Sequence, residues 1–171
     1  PTTGDAIYAA SREDQILLMR GLFMTSFLAD DFLADQDYRG ARSVLISSAS
    51  SKTSIALAFQ LFQRGRDRCE VVGLTSKRSV PFVESLGIHH RVVAYTDIET
   101  LDASVPTVFV DMAGDADVTT RIHRHCADAL KYSCQVGGTH WDRLAFGIEV
   151  PGPPPTLFWA PGQLAKRMSD W

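Results

Sequence analysis

Residues 44–54 read VLISSASSKTS and decide the fold predicted for this chain. A short apolar strand runs into a loop of small side chains, and an apolar helical segment at residues 55–62 follows at once. This is the order of elements at the phosphate loop of a dinucleotide-binding fold, where small side chains let the backbone approach a pyrophosphate at the helix N-terminus. Serines stand where that motif, G-x-G-x-x-G, has glycines. The assignment therefore rests more on the place of the loop between a strand and a helix than on its residue types.

The lysine in this loop affects how the helix start is interpreted. Lys52 stands where a cation opposes the helix dipole by about 0.3–1 kcal/mol, and a bound anion would offset that cost. The alternative is a solvated lysine beside a serine that caps the helix, and the segment alone leaves both interpretations open. The candidate phosphate-binding residues of the loop are Ser48, Ala49, Ser50, Ser51, Lys52 and Thr53.

The end of the second predicted strand carries another candidate group. An NAD-specific site normally places an acidic residue about 20 residues beyond the phosphate loop, where it binds the ribose hydroxyls. This chain has two hydroxyls and two cations there instead, which suit a 2′-phosphate: Thr75, Ser76, Lys77 and Arg78. We therefore expect NADP as the cofactor rather than NAD. The alternative is a solvated helix start at which basic residues happen to fall.

Two later strand ends complete the candidate site. Asp111 ends an apolar run, where it either points into the cofactor crevice or caps the helix that follows. Gly137 and the glycine after it permit close backbone approach, and they would bring His140 and Trp141 near the reactive end of a cofactor. A histidine in a loop is more often merely exposed. Asp111 and Gly137 therefore join the cofactor-binding candidates, and the catalytic residue stays unknown.

The rest of the chain alternates strand and helix patterns. Continuous apolar runs predict five strands, at residues 43–47, 70–75, 91–95, 107–112 and 131–136. Helical patterns lie between them at residues 53–64, 79–86 and 116–129. A proline-rich link, a strand at 156–160 and a helix near 162–169 follow. The pattern predicts an α/β fold, a doubly wound, mostly parallel Rossmann sheet of about six strands with helices on both faces.

Three parts make up the predicted domain organisation. Residues 1–36 form a lead-in and a long helix over about 13–33, which we expect to break near Gly21. Residues 37–150 form the Rossmann-type dinucleotide-binding domain. Residues 151–171 add a proline-rich link, an edge strand and a C-terminal helix to that same domain.

Two apolar pairs test the placement of these elements. Leu57 and Phe59 should be buried against the sheet, so Phe59→Ala should cost roughly 3–5 kcal/mol. The strand at 156–160 should lie at a sheet edge with Phe158 and Trp159 exposed. Bare apolar edges are usually paired or covered, which predicts either a homodimer through this strand or a contact with another domain.

Composition excludes several functional classes. With 171 residues, 45% hydrophobic content and a net charge of −3, the chain lacks the basic balance of a nucleic-acid binder. It has neither an apolar run of about 18 residues nor a signal-peptide pattern, so no membrane span is predicted. An odd number of cysteines at irregular spacing predicts free thiols in a reducing compartment, the cytoplasm. His123, His125 and Cys126 lie on a helical stretch at spacings that do not converge, so no metal site is predicted.

Several segments together resemble the medium-chain dehydrogenase/reductase family. Four of them follow the order of that family, from the helix before the cofactor loop onward: residues 22–28, 71–76, 82–87 and 91–95. The serine loop, Val110–Gly114 and Tyr132–Cys134 most resemble a bacterial and fungal branch catalogued as a domain of unknown function. The resemblance covers about residues 15–165.

The resemblance implies an NADP(H)-binding Rossmann domain of an oxidoreductase that transfers a hydride to a small carbonyl or enone substrate. The family pairs this domain with a GroES-like catalytic domain, which these 171 residues do not contain, so activity would belong to the intact protein. In related reductases the edge corresponding to residues 156–160 joins two subunits. The missing loop glycines leave an alternative, a degenerate Rossmann module that acts through protein contacts without a cofactor.

Overall fold

Six parallel strands form one sheet. The computed structural model describes residues 8–65, 68–137 and 149–168. The strands are β1 (Ser43–Ile46), β2 (Glu70–Thr75), β3 (Arg91–Ala94), β4 (Thr107–Asp111), β5 (Leu130–Gln135) and β6 (Thr156–Leu157). They lie in the order β3-β2-β1-β4-β5-β6, and every pairing is parallel. The predicted doubly wound sheet is confirmed, and its strand order reverses between β1 and β4, the place where such sheets bind ligands.

Helices cover both faces of this sheet. Within the described residues the α-helices are α1 (Glu13–Asp35), α2 (Lys52–Arg64), α3 (Val80–Ser85), α4 (Ala116–Cys126) and α5 (Ala160–Met168). α1, α2 and α5 contribute to the apolar core on one face, which includes Leu28 and Leu57. α4 packs on the other face, where Ile122 joins Leu45 and Phe109 in a second core. Burial on both faces explains why the strands read as continuous apolar runs.

The first helix is longer and more regular than its sequence suggested. α1 runs unbroken through Gly21, where we expected a break. One glycine in a helix interior costs only about 1 kcal/mol relative to alanine, and the neighbouring Arg20 and Leu22 favour the helix. The helical hydrogen bonds on either side therefore carry the backbone through this position.

The burial predicted for α2 is half right. Leu57 is fully buried, whereas Phe59 is 42% exposed, so the expected burial of Phe59 is wrong. Two residues advance a helix by about 200°, which turns Phe59 away from the face that carries Leu57 and Leu61. The burial on which the large expected cost of Phe59→Ala was based is therefore absent.

The sheet edge at β6 exposes a different pair of side chains from the one predicted. Trp159 is 67% exposed, as expected, but Phe158 is only 7% exposed and Leu157 takes its place at the surface with 51%. Phe158 turns inward because its ring packs against Phe32 of α1, with ring centroids 5.5 Å apart. Alternation along an extended strand then directs Leu157 outward.

The half-buried His89 lies beneath the loop that follows β1. Gly73 lets the His89 ring pack closely against β2, because a Cβ there would lie 2.9 Å from His89 Cδ2 and 3.0 Å from Ala49 Cβ. Neither ring nitrogen of His89 has a hydrogen-bond partner among the described residues. Burial lowers the pKa of His89 to about 4, so the imidazole stays neutral at physiological pH.

Truncation of Leu57 and Phe59 should separate burial from helix position. We expect Leu57→Ala to lower the free energy of unfolding by about 3 kcal/mol, because it opens a cavity between α2 and the sheet. Phe59→Ala in the same helix should cost about 1 kcal/mol or less. Urea unfolding of both variants measures the difference, and equal costs would mean that the phase of α2 is misassigned.

Replacement of His89 should change how stability depends on pH. The unfolded imidazole binds a proton below its ordinary pKa of 6.5, whereas the folded one stays neutral down to about 4. The wild type therefore loses stability as the pH falls through this window, and His89→Leu should flatten that part of the curve. Urea titrations between pH 6.5 and 4 measure both slopes. Identical slopes would contradict the assignment of a neutral, half-buried His89.

Candidate functional site

The loop between β1 and α2 is closed by its own serines. The Ser51 hydroxyl caps α2 by accepting a hydrogen bond from the Ser54 amide at 3.2 Å. The Ser54 hydroxyl in turn donates to the Ser47 carbonyl at 2.9 Å. The Ala49 amide donates to the Leu74 carbonyl at 2.9 Å, which holds the loop against the end of β2. Serine hydroxyls thus fix a tight turn in a loop that has no glycine.

The start of α2 offers unbonded backbone amides beside a cation. The amides of Lys52 and Thr53 donate to no other group in the described parts of the chain, as is usual in the first turn of a helix. The side chains of Ser50 and Lys52 are exposed next to them. Free amides, the helix dipole and a lysine together form a site that suits an anion.

Ser47 and Asp111 join the loops that follow β1 and β4. The Ser47 hydroxyl donates to Asp111 Oδ1 at 2.7 Å and accepts from the Met112 amide at 2.8 Å. Asp111 Oδ1 also accepts from the amides of Ala113 and Gly114, at 3.0 and 3.1 Å. These bonds tie together the two loops at the position where the strand order reverses.

Asp111 is buried, and each of its carboxylate oxygens accepts hydrogen bonds from the protein. Its Oδ2 accepts from the Thr119 hydroxyl of α4 at 3.3 Å. Burial raises the pKa of Asp111, while the bonds from Ser47, Gly114 and Ala113 act in the opposite direction. The alternative role predicted for it, as the helix cap, is wrong. Asp115 is the N-cap of α4, and its side chain accepts from the amides of Asp117 and Val118.

Tyr95 contacts the loop from the far side of β2. Its hydroxyl accepts a hydrogen bond from the Ser48 amide at 2.7 Å. Ser48 has a φ of 50°, a left-handed conformation that costs energy for a residue with a side chain. Burial raises the pKa of the Tyr95 hydroxyl, which keeps it protonated. The sequence interpretation placed Tyr95 only in a strand pattern, and its contact with the loop was missed.

The segment after β2 presents two cations to solvent. Ser76, Lys77 and Arg78 are exposed, whereas Thr75 is buried and belongs to the strand. Neither Lys77 nor Arg78 forms an ion pair with any described residue. β2 pairs directly with β1, so these cations lie at the carboxyl end of the strand next to the serine loop.

Gly137 lies against the loop after β4. Its amide and that of Val136 donate to the Asp111 carbonyl, at 3.3 and 2.8 Å. A Cβ at Gly137 would lie 2.7 Å from the Met112 carbonyl oxygen, so only glycine fits there. His140 and Trp141 lie outside the described residues.

The histidines and the cysteine of α4 serve packing. His123 is buried, and its ring nitrogens bond to the Pro151 carbonyl and the Ser133 hydroxyl, both at 2.9 Å. His125 Nε2 bonds to the Leu101 carbonyl at 2.8 Å. Across residues 8–65, 68–137 and 149–168, no group of three or more His, Cys, Asp or Glu side chains could hold a metal ion.

None of the described helices is long and apolar enough to cross a membrane.

The strand ends thus bring most of the predicted residues to one edge of the sheet. The serine loop, the segment after β2 and the β4–β5 loops all lie at carboxyl ends of paired strands. Sequence reasoning missed Ser47 and Tyr95 as the residues that hold the loop in place. The tyrosine at the end of a predicted strand was visible, but its partner 47 residues away was not.

Comparison with known proteins gives one family and several structural relatives. The profile of the family DUF2855, described as a protein of unknown function, matches residues 1–171. The fold is similar to that of a candidate NADPH:quinone reductase from Mesorhizobium loti, with 12% identity over 90% of this chain and 49% of that chain and a TM-score of 0.62. D-arabinose dehydrogenase from Sulfolobus solfataricus is 18% identical over 72% of this chain and 39% of that chain, with a TM-score of 0.57. Bacillus subtilis protein yhfP, solved with NAD bound, is 20% identical over 86% of this chain and 48% of that chain, with a TM-score of 0.52.

These relatives establish the fold, and the profile establishes the family. No curated protein matches the chain. The chain spans about half or less of each structural relative, 49% of the first and 39% of the second. The resemblance to medium-chain dehydrogenases and reductases is confirmed at the level of the fold, as is the branch of unknown function. Because the family profile covers the whole chain, the protein belongs to the family DUF2855.

Proposed function

We propose that this chain is the NADP(H)-binding domain of a medium-chain reductase-like oxidoreductase. The observation that carries the proposal is the start of α2, where free amides and Lys52 lie at the reversal of strand order. Ser50, Ser51 and Thr53 line the same turn, and Ala49 gives it a small, buried side chain. A pyrophosphate at this position would bond to the amides and offset the repulsion between Lys52 and the helix dipole.

Lys77 and Arg78 support NADP over NAD as the cofactor. In this fold the adenosine ribose lies at the end of the second strand. Two exposed cations without a described partner, beside the Ser76 hydroxyl, suit a 2′-phosphate. Thr75 is buried and would position the strand end rather than touch the phosphate.

The β4 and β5 loops would receive the other half of the cofactor. Asp111 holds the loops after β1 and β4 together through Ser47, and Gly137 keeps the backbone close to Met112. When bound, the nicotinamide would supply the hydride for a small carbonyl or enone substrate in the intact protein. The chain's own residues would bind and orient the cofactor.

All three cysteines are free, which supports a reducing compartment, and we place the protein in the cytoplasm.

Titration calorimetry with NADPH and NADH tests the cofactor assignment. We expect tighter binding of NADPH, and Lys77→Ala with Arg78→Ala should weaken NADPH about tenfold or more while leaving NADH nearly unchanged. Lys52→Ala should weaken both cofactors alike, because it removes a pyrophosphate contact. Arg124→Ala, an exposed cation on α4, is the matched control and should change neither affinity.

Two results would count against this function. Equal losses for both cofactors in the Lys77 and Arg78 double variant would exclude the 2′-phosphate assignment. Absence of binding for either cofactor at millimolar concentration would favour the degenerate module that acts through protein contacts.

The edge at β6 supports a second part of the proposal, a homodimer through residues 156–160. Leu157 and Trp159 are exposed beside the edge of β6 that pairs with no described strand, next to a groove of about 340 Å³ lined by rings that include Phe32 and Tyr132. An apolar edge strand of this kind invites pairing with a second copy.

Sedimentation velocity tests this edge. Leu157→Lys with Trp159→Ala should shift the chain from dimer to monomer, because the pair removes the exposed apolar area at β6. Phe82→Ala removes a ring of similar exposure on α3 and should leave the dimer intact. A wild-type chain that sediments as a monomer at all concentrations would contradict the proposal.

A further inference from the structure

Ser48 is the strained residue of the serine loop. Its φ of 50° lies in the left-handed region, and no other residue between positions 41 and 64 has a positive φ. Glycine adopts this conformation freely, whereas a residue with a Cβ adopts it only at an energetic cost. Such a conformation persists where the surrounding structure enforces it, so a contact from elsewhere in the chain must hold Ser48 in place.

Two hydrogen bonds fix the backbone on either side of the Ser48 Cα. The Ser48 amide donates to the Tyr95 hydroxyl at 2.7 Å, and the Ala49 amide donates to the Leu74 carbonyl at 2.9 Å. These amides belong to the two planar peptide groups that flank the Ser48 Cα, so the bonds together set its φ and ψ. The Tyr95 ring packs against the apolar core on the α4 face, which limits the movement of its hydroxyl.

Arg121 of α4 holds Tyr95 in turn. Its Nη1 donates to the Tyr95 carbonyl at 2.6 Å. Its Nε and Nη2 donate to the two carboxylate oxygens of Glu99, at 2.9 and 2.5 Å. Tyr95 and Glu99 both belong to the 3₁₀ segment Tyr95–Thr100 that follows β3. The planar guanidinium suits such a forked contact, so it ties the backbone that carries Tyr95 to α4.

The backbone at Ser48 leads directly into the start of α2. The Ser51 amide donates to the Ser48 carbonyl at 2.7 Å, and Ser51 is the N-cap of α2. The unbonded amides of Lys52 and Thr53 follow immediately. A change of conformation at Ser48 would therefore shift the N-cap and the amides that form the candidate anion site.

We propose that Tyr95, held by Arg121, is the positioning residue of the serine loop, and that its hydroxyl replaces the conformational freedom that a glycine would give at position 48. The inference deepens the proposed function and rests on it, because a loop held in this shape presents the first amides of α2 to a dinucleotide. Tyr95 acts on the loop backbone in this role, without touching the cofactor.

Exchange of the Ser48 amide with solvent, followed by NMR without nucleotide, tests the contact itself. We expect Tyr95→Phe to speed this exchange at least about tenfold, because the ring stays in the core and only the acceptor is lost. Arg121→Gln should speed it at least about threefold, since it frees the backbone that carries Tyr95. Tyr132→Phe removes a hydroxyl from a buried tyrosine of β5 and is the matched control, with no change expected. An unchanged rate in Tyr95→Phe or in Arg121→Gln would overturn the proposal, whether or not a nucleotide binds.

The affinities for NADPH and NADH in two backgrounds separate positioning from direct contact. In Ser48→Ala, whose side chain still opposes the left-handed conformation, adding Tyr95→Phe should weaken both nucleotides about fivefold or more. In Ser48→Gly, the same addition should alter either affinity less than about twofold, because glycine needs no partner to keep this conformation. Equal losses in the two backgrounds would mean that Tyr95 contacts the cofactor or only the core, and would overturn the proposal. If the wild type binds neither nucleotide, the proposed function fails, and the exchange of the Ser48 amide alone decides the positioning role.

Discussion

The hydrogen bond between Ser47 and the buried Asp111 holds together the two loops that flank the candidate cofactor site. It is 2.7 Å long and joins the loops after β1 and β4, where the strand order reverses. A buried carboxylate is costly unless donors surround it, and here a hydroxyl and two amides converge on one oxygen. In a glycine-rich loop, conformational freedom alone makes the turn. In this chain the hydrogen bonds of serine hydroxyls hold the turn. The loop therefore keeps its shape only while those hydroxyls stay bonded to fixed partners.

Much of the fold could be predicted because burial on both faces leaves a strong pattern. The predicted second strand, residues 70–75, coincides with β2 (Glu70–Thr75), since a strand covered on both sides is apolar throughout. The phase of a helix is harder to predict. Leu57 and Phe59 are both apolar, and only the packing of α2 decides which one faces the sheet. The same holds for Leu157 and Phe158, because the ring of Phe32 selects which of the two turns inward.

The candidate site was predictable as a set of strand ends but not as a network. Parallel strands bring their carboxyl ends to one edge, so Lys52, Lys77 and Asp111 could be grouped from the order of elements. The hydrogen bonds that hold the loops in place join residues far apart in the chain. Ser47 and Asp111 are 64 positions apart, and Ser48 and Tyr95 are 47 positions apart. Such pairs follow from sheet order and register, which one sequence does not specify. The close packing of His89 against Gly73 also follows from sheet order and register.

The electrostatics of the serine loop explain why its weak match to the glycine motif does not count against an anion site. Lys52 is exposed at the first position of α2, where its charge opposes the dipole and no acidic side chain in the described residues pairs with it. The amides beside it are also unbonded within those residues. A negatively charged group would satisfy the amides and the lysine at once. The loop therefore gives up the glycines of the usual motif, but it keeps the amides and gains a cation, which are the features that bind phosphate.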